Sequence, residues 1–117
     1  EDKLSTMLFI NKGKIMKKMV LSEVFDYLKG IKAVNNESEF STDWLGRSEC
    51  YMRNLRFKRA QPSIGTLAIC ASKLSHYGIR LKENQKHNDI AAQLLHLSNA
   101  CHKQINHLGC EHWIEQA

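Results

Sequence analysis

The sequence predicts an all-α fold, a four-helix module followed by one C-terminal helix, and three observations carry that prediction. Only one proline, Pro62, and six glycines interrupt 117 residues, so long stretches are free to stay helical. Apolar residues recur every three or four positions rather than every second one. Hydrophobic residues make up 43% and charged residues 25%, enough apolar surface for one core in a chain of single-domain length.

The elements follow in order. Residues 1–18 join an apolar patch, Met7 to Ile10, to the lysine-rich run Lys12 to Lys18 without a sustained period, and read as a flexible basic arm. Leu21, Val24, Phe25, Leu28 and Ile31 share one side of a first helix over about Val20–Val34, which Asn35 and Asn36 end. Asn36 also caps a second helix, about Glu37–Leu45, with Glu39 three positions on reaching back to complete a capping box. Gly46 is suited to the left-handed backbone that stops this helix and turns the chain. Ser48 caps a third helix, about 48–57, with Tyr51, Met52 and Leu55 packed and Glu49, Cys50, Arg53, Asn54 and Arg56 on the remaining surface. Pro62 and Ser63 open a fourth helix carrying Ile64, Leu67, Ala71 and Leu74, which ends near Gly78. A polar connection from Arg80 to His87 leads to a fifth helix, on which Ile90, Leu94, Leu97, Cys101 and Ile105 repeat at helical spacing and which Gly109 closes.

The net charge of +5 favours an anionic partner, and its distribution is sharper than its sum. Between residues 47 and 59 five basic residues, Arg47, Arg53, Arg56, Lys58 and Arg59, accompany a single acid, Glu49. A basic cluster is often only a solvated face; this one surrounds a short helix that follows a turn.

The segment from Phe40 through Gly46 to Leu55, the basic loop to Gln61, and Pro62-Ser63 resembles the lambda-repressor/Cro-type helix-turn-helix family. Gly46, Ser48, Met52, Leu55, Lys58, Arg59, Pro62 and Ser63 stand at the family's turn glycine, capping serine, two apolar positions, basic loop and proline-serine pair. Two places differ: Ser41 and Thr42 replace a leucine-alanine pair in the second helix, and Arg56-Phe57-Lys58 replaces Glu-x-Gly at the end of the third, which predicts that this helix runs on.

The resemblance implies a helix-turn-helix domain over 19–79 with an 80–117 extension, binding double-stranded DNA as a cytoplasmic transcriptional regulator, a repressor of the phage or plasmid kind. Glu49, Cys50, Arg53 and Asn54 would read base edges in a major groove about 12 Å wide, where asparagine pairs with adenine and glutamate accepts from cytosine. Ser38, Thr42, Arg47, Arg56, Lys58 and Arg59 would hold phosphates. Homodimerisation is expected, with the amphipathic helix over Asp89–Asn106 either packing on the module or pairing with a second subunit. A protein-interaction module that keeps the scaffold but has lost DNA binding, acting as an adaptor or antagonist, is the alternative.

Other chemistries find less support. Phe40 and Trp44 at helical spacing read as core rather than as a stacking platform. His96, Cys101, His102, His107, Cys110 and His112 offer zinc-type ligands without the paired-cysteine spacing of zinc modules, and no metal or other cofactor is expected. Cys50 beside an arginine is a redox candidate or an ordinary contact residue. No phosphate-cradling glycine loop or catalytic triad motif is present, so no enzyme is expected. No apolar run approaches the roughly 20 residues that span a bilayer, and the four cysteines, spaced far apart, fit a reducing compartment.

Overall fold

The computed structural model describes residues 19–116, and the expected arm over 1–18 lies outside them. Among the described residues the chain is all-helical: α1 (Val20–Gly30), α2 (Glu37–Trp44), α3 (Tyr51–Lys58), α4 (Ile64–Asn84) and α5 (Asn88–Gln116). One apolar cluster joins them all, with Leu21, Leu28, Phe40, Leu45, Met52, Leu67, Leu74 and Cys101 among its buried members.

α1 buries Leu21, Val24 and Leu28 but is shorter than its apolar period suggests. It stops at Gly30, because Lys32 takes a left-handed φ of 66° and the Ala33 N–H returns to the Leu28 carbonyl at 2.8 Å. That turn satisfies a terminal carbonyl before Asn35 and Asn36 are reached, and leaves Val34 buried in the connection. α2 starts as expected, with Asn36 Oδ1 accepting from the Glu39 N–H at 2.8 Å. Glu39 reaches back one residue further than a capping box requires, accepting from the Asn35 N–H at 2.7 Å.

α3 begins later than expected. Its N-cap is Cys50, which makes no side-chain cap bond, and Ser48 contributes its backbone carbonyl to the Tyr51 N–H at 3.0 Å. The helix also does not run on. Arg59 takes φ 53°, its N–H turns back to the Arg56 carbonyl, and the Ala60 N–H bonds the Leu55 carbonyl at 3.0 Å. A left-handed arginine thus does the work that a glycine more often does at a helix end.

The largest difference lies in the second half of the chain. α4 opens on the expected cap, Ser63 Oγ accepting from the Thr66 N–H at 3.1 Å. It then continues for 21 residues to Asn84, through Gly78 and through the expected boundary at 79. α5 likewise runs through Gly109, so the polar connection shrinks to residues 85–87 and the two helices form a long hairpin. Gly78 breaks neither the period nor the helix; it admits the neighbour. A β-carbon there would lie 2.8 Å from Leu95 Cδ2, so with a larger residue at 78 the Leu95 side chain would have to shift. Ser98 is buried in the same seam and donates to the Ala71 carbonyl at 2.9 Å. The stripe expected as a possible subunit interface is used within the chain: Leu94, Leu97 and Cys101 are buried. Of the two roles the sequence leaves for this helix, packing on the module is the one observed.

Candidate nucleic-acid interface

The basic segment begins in the turn after α2, runs along α3 and ends at Arg59, its C-cap. The turn depends on Gly46, whose φ of 66° lies in the left-handed region. A β-carbon at that position would meet Ile69 Cδ1 at 3.9 Å, an ordinary contact, so backbone conformation rather than space calls for glycine. The Arg47 N–H then bonds the Ser41 carbonyl at 3.0 Å and closes the end of α2.

At 100° per residue, Met52 and Leu55 fix the inward side of α3, and both are buried. Cys50, Arg53, Asn54 and Phe57 form the opposite stripe. Arg53, Asn54 and Phe57 are exposed and Cys50 is half-buried. α5 approaches α3 from behind this stripe: a groove of about 560 Å³ lies between them, lined by Leu55, Arg59, Pro62, Lys103, Gln104 and His107, and Gln104 donates to Gln61 at 3.2 Å. The stripe is therefore clear of the C-terminal helix.

The base-reading candidates divide. Arg53 and Asn54 stand together on the outward stripe. Cys50 belongs to it too, but its sulfur accepts from Arg53 Nη2 at 2.8 Å, so the two side chains are held against each other. Glu49 is exposed in the turn ahead of the helix, outside the regular stripe. Phe57, on which no sequence argument settled, completes the stripe and is 88% exposed. Its signal in the sequence is its spacing, four residues from Arg53 and three from Asn54.

The phosphate candidates divide as well. Arg47, Lys58 and Arg59 are exposed, and Arg47 lies over the Tyr51 ring at 4.9 Å from its centroid, which fixes the guanidinium beside the start of α3. Arg56 is occupied: it donates to both carboxylate oxygens of Glu37 at 2.6 and 3.0 Å, and this bond holds its guanidinium further in the charged form. Ser38 is half-buried in the first turn of α2. Thr42 is exposed, but its hydroxyl donates to the Ser38 carbonyl at 3.1 Å, leaving its oxygen as an acceptor and not as the donor a phosphate needs.

In α2, Phe40 and Ser41 take the buried positions, and Ser41 Oγ has no hydrogen-bond partner among the described residues. Trp44 is buried too, under the Lys73 ammonium at 5.1 Å from its ring centroid, so it is core and not a stacking surface.

The histidine- and cysteine-rich stretch spreads along α5. Cys101 is buried, and its hydrogen bond with Cys70, followed by burial, pushes the Cys70 thiol well above the ordinary range. His107 pairs with Glu111 at 3.0 Å. Among the described residues no three His, Cys, Asp or Glu side chains gather as metal ligands, and no helix is long and apolar enough to cross a membrane.

The model of a family of unknown function, DUF6626, matches residues 21–115. No curated protein and no solved structure matches the chain.

Proposed function

We propose that this chain, which belongs to the DUF6626 family, is a double-stranded DNA-binding regulator of transcription, acting as a repressor through a helix-turn-helix of α2, the Gly46 turn and α3. The observation that carries the reading is the outward stripe of α3. Arg53 and Asn54 stand clear of α5, directly opposite the buried Met52 and Leu55, with Arg47, Lys58 and Arg59 exposed at either end of the helix. A helix entering a major groove needs that arrangement: donors and acceptors at its centre for base edges, cations at its ends for the phosphates on both sides. In this reading the base-reading group is Glu49, Arg53 and Asn54, with Cys50 positioning Arg53. The phosphate group is Arg47, Lys58 and Arg59, with Ser38 in the first turn of α2 as a neutral contact. Two copies binding half-sites about 34 Å apart would give a palindromic operator.

The test is titration of a labelled duplex, enriched from a random-sequence pool, at several salt concentrations. Binding should weaken steeply with salt, with a logarithmic slope of about 0.9 per phosphate neutralised. Arg53→Ala and Asn54→Ala should each cost about 1–3 kcal/mol on the enriched duplex and far less on random DNA. A wild-type protein that no duplex retards would overturn the reading.

The interaction-module reading keeps one observation of its own. α4 leaves Ile69 and Tyr77 exposed on one side, next to Ala68 and Ser72, an apolar surface that DNA binding does not use.

A further inference from the structure

The side chain that fits least well with a merely solvated α3 is Phe57. It is 88% exposed, ahead of Trp113 at 61% among the large apolar side chains described, and it lies on the helix face turned directly away from the core. An aromatic ring left this exposed forgoes the stabilisation that burial would bring, and this one stands on the stripe that carries Arg53 and Asn54, where a partner bound to them would cover it. Its neighbours say what kind of partner. Arg53 precedes it by one turn, and Lys58 and Arg59 follow it directly. A second copy of this chain would bring the same cations against these. A purely apolar partner would strip their water without compensation. The surface that complements a ring set among cations is itself apolar in small spots and anionic around them.

We propose that Phe57 is a base-reading residue that packs on the 5-methyl group of thymine in the major groove. The inference rests on the DNA-binding reading above and deepens it. Thymine carries the one apolar group on the floor of that groove, and phosphates line both edges. A helix seated there by Arg47, Lys58 and Arg59 would present Asn54 and Phe57 to successive base steps. Asn54 takes an adenine through its amide, and Phe57 fixes a thymine one helical turn nearer the C-terminus of α3. The preferred site therefore contains a thymine at a fixed offset from the position that Asn54 reads.

The experiment uses the full chain and the duplex it enriches from a random pool, synthesised once with thymine and once with deoxyuridine, which lacks only the methyl group. Phe57→Ala should weaken binding to the thymine duplex about five- to ten-fold. The uracil duplex should weaken the wild type by a similar factor, and the two changes together should cost no more than either alone. Phe57→Leu, which keeps an apolar contact, should recover most of the loss. The ring makes no part of the core, so these variants fold, and unchanged helical content confirms it. Equal binding of wild type and Phe57→Ala to the thymine duplex, or losses that multiply, overturns the Phe57 assignment while leaving DNA binding intact. Absence of duplex binding by the wild type overturns both.

Discussion

Arg56 and Glu37 form a two-pronged ion pair, 2.6 and 3.0 Å, that ties the last turn of α3 to the first turn of α2. The sequence alone places Arg56 among the phosphate contacts. The structure gives it a carboxylate from within the chain, which ties the two helices together. Both side chains are partly exposed, at 49% and 31%, and water screens the pair, so its worth to stability is at most about 1 kcal/mol.

A first prediction follows from that pairing. Arg56→Ala should lower the thermal midpoint slightly and leave the salt dependence of duplex binding unchanged. Glu37→Gln should lower stability by a similar amount and release the guanidinium, so that binding tightens and the salt slope steepens by about 0.9. A salt slope that falls by that amount in Arg56→Ala would return Arg56 to the phosphate contacts.

Ser41 offers a second. Its hydroxyl is wholly buried and unpartnered among the described residues, at a place where the family pattern has an apolar residue. A buried hydroxyl without a partner keeps its desolvation cost and gains nothing in return. Ser41→Ala should stabilise the protein by about 1 kcal/mol, read as a rise of a few degrees in the melting midpoint. The Ser41 carbonyl, which accepts from Arg47, is unaffected by the change.

The two special glycines separate by mechanism. Gly46→Ala meets no steric obstacle but must hold a left-handed φ, which costs about 1–2 kcal/mol, and Gly46→Asn should recover part of the loss because asparagine visits that region more readily. Gly78→Ala has helical backbone and costs through contact instead, since its β-carbon would sit 2.8 Å from Leu95. Gly78→Ala combined with Leu95→Ala should therefore be less destabilised than the sum of the single changes, measured by denaturant unfolding. Gly46 variants should show no such rescue.

How far the sequence could be read depended on whether a signal was local. The caps at Asn36 and Ser63 and the turn at Gly46 are set by neighbouring residues, and the structure has them where the sequence predicts. The inward faces of α1 and α3 are likewise legible from period alone, because Leu21, Val24, Met52 and Leu55 have no other way to leave water. Helix ends were harder. Lys32 and Arg59 adopt left-handed conformations that no propensity favours, in turns closed by the Ala33-to-Leu28 and Ala60-to-Leu55 backbone bonds. Gly78 and Gly109 look like stops, but one sits against Leu95, 17 residues away in sequence on the facing helix, and the other lies within a helix that continues to Gln116. The Arg56–Glu37 pair and the outward position of Phe57 depend on how α2 and α3 dock, which spacing within one helix does not specify.

The cysteines supply a chemical check on the hairpin. Cys50 is half-buried and Cys110 exposed, whereas Cys70 and Cys101 face each other's helices in the core. The bond to Cys101, and burial after it, hold the Cys70 thiol protonated well beyond ordinary pH, and the thiolate is the reactive form. Brief alkylation of the native protein should label Cys50 and Cys110, and mass spectrometry should find Cys70 and Cys101 modified only after denaturation. Rapid native labelling of Cys70 would mean that α4 and α5 are not packed as described.

Arg59 joins fold and function in one residue, and its substitution should move them in opposite directions. It ends α3 with φ 53°, a conformation that is strained for arginine and easy for glycine, and its side chain is exposed at the rim of the groove between α3 and α5. Arg59→Gly should stabilise the fold by about 0.5–1 kcal/mol through relief of that strain, a gain limited by the extra freedom glycine gives the unfolded chain. The same change removes a cation, so duplex affinity should fall and the salt slope should lessen by about 0.9. Arg59→Lys keeps both the charge and the strain, and should leave stability and salt slope near their wild-type values. If Arg59→Gly gained stability and lost no affinity, Arg59 would serve only as a helix terminator, and the cations that meet phosphate would be Arg47 and Lys58 alone.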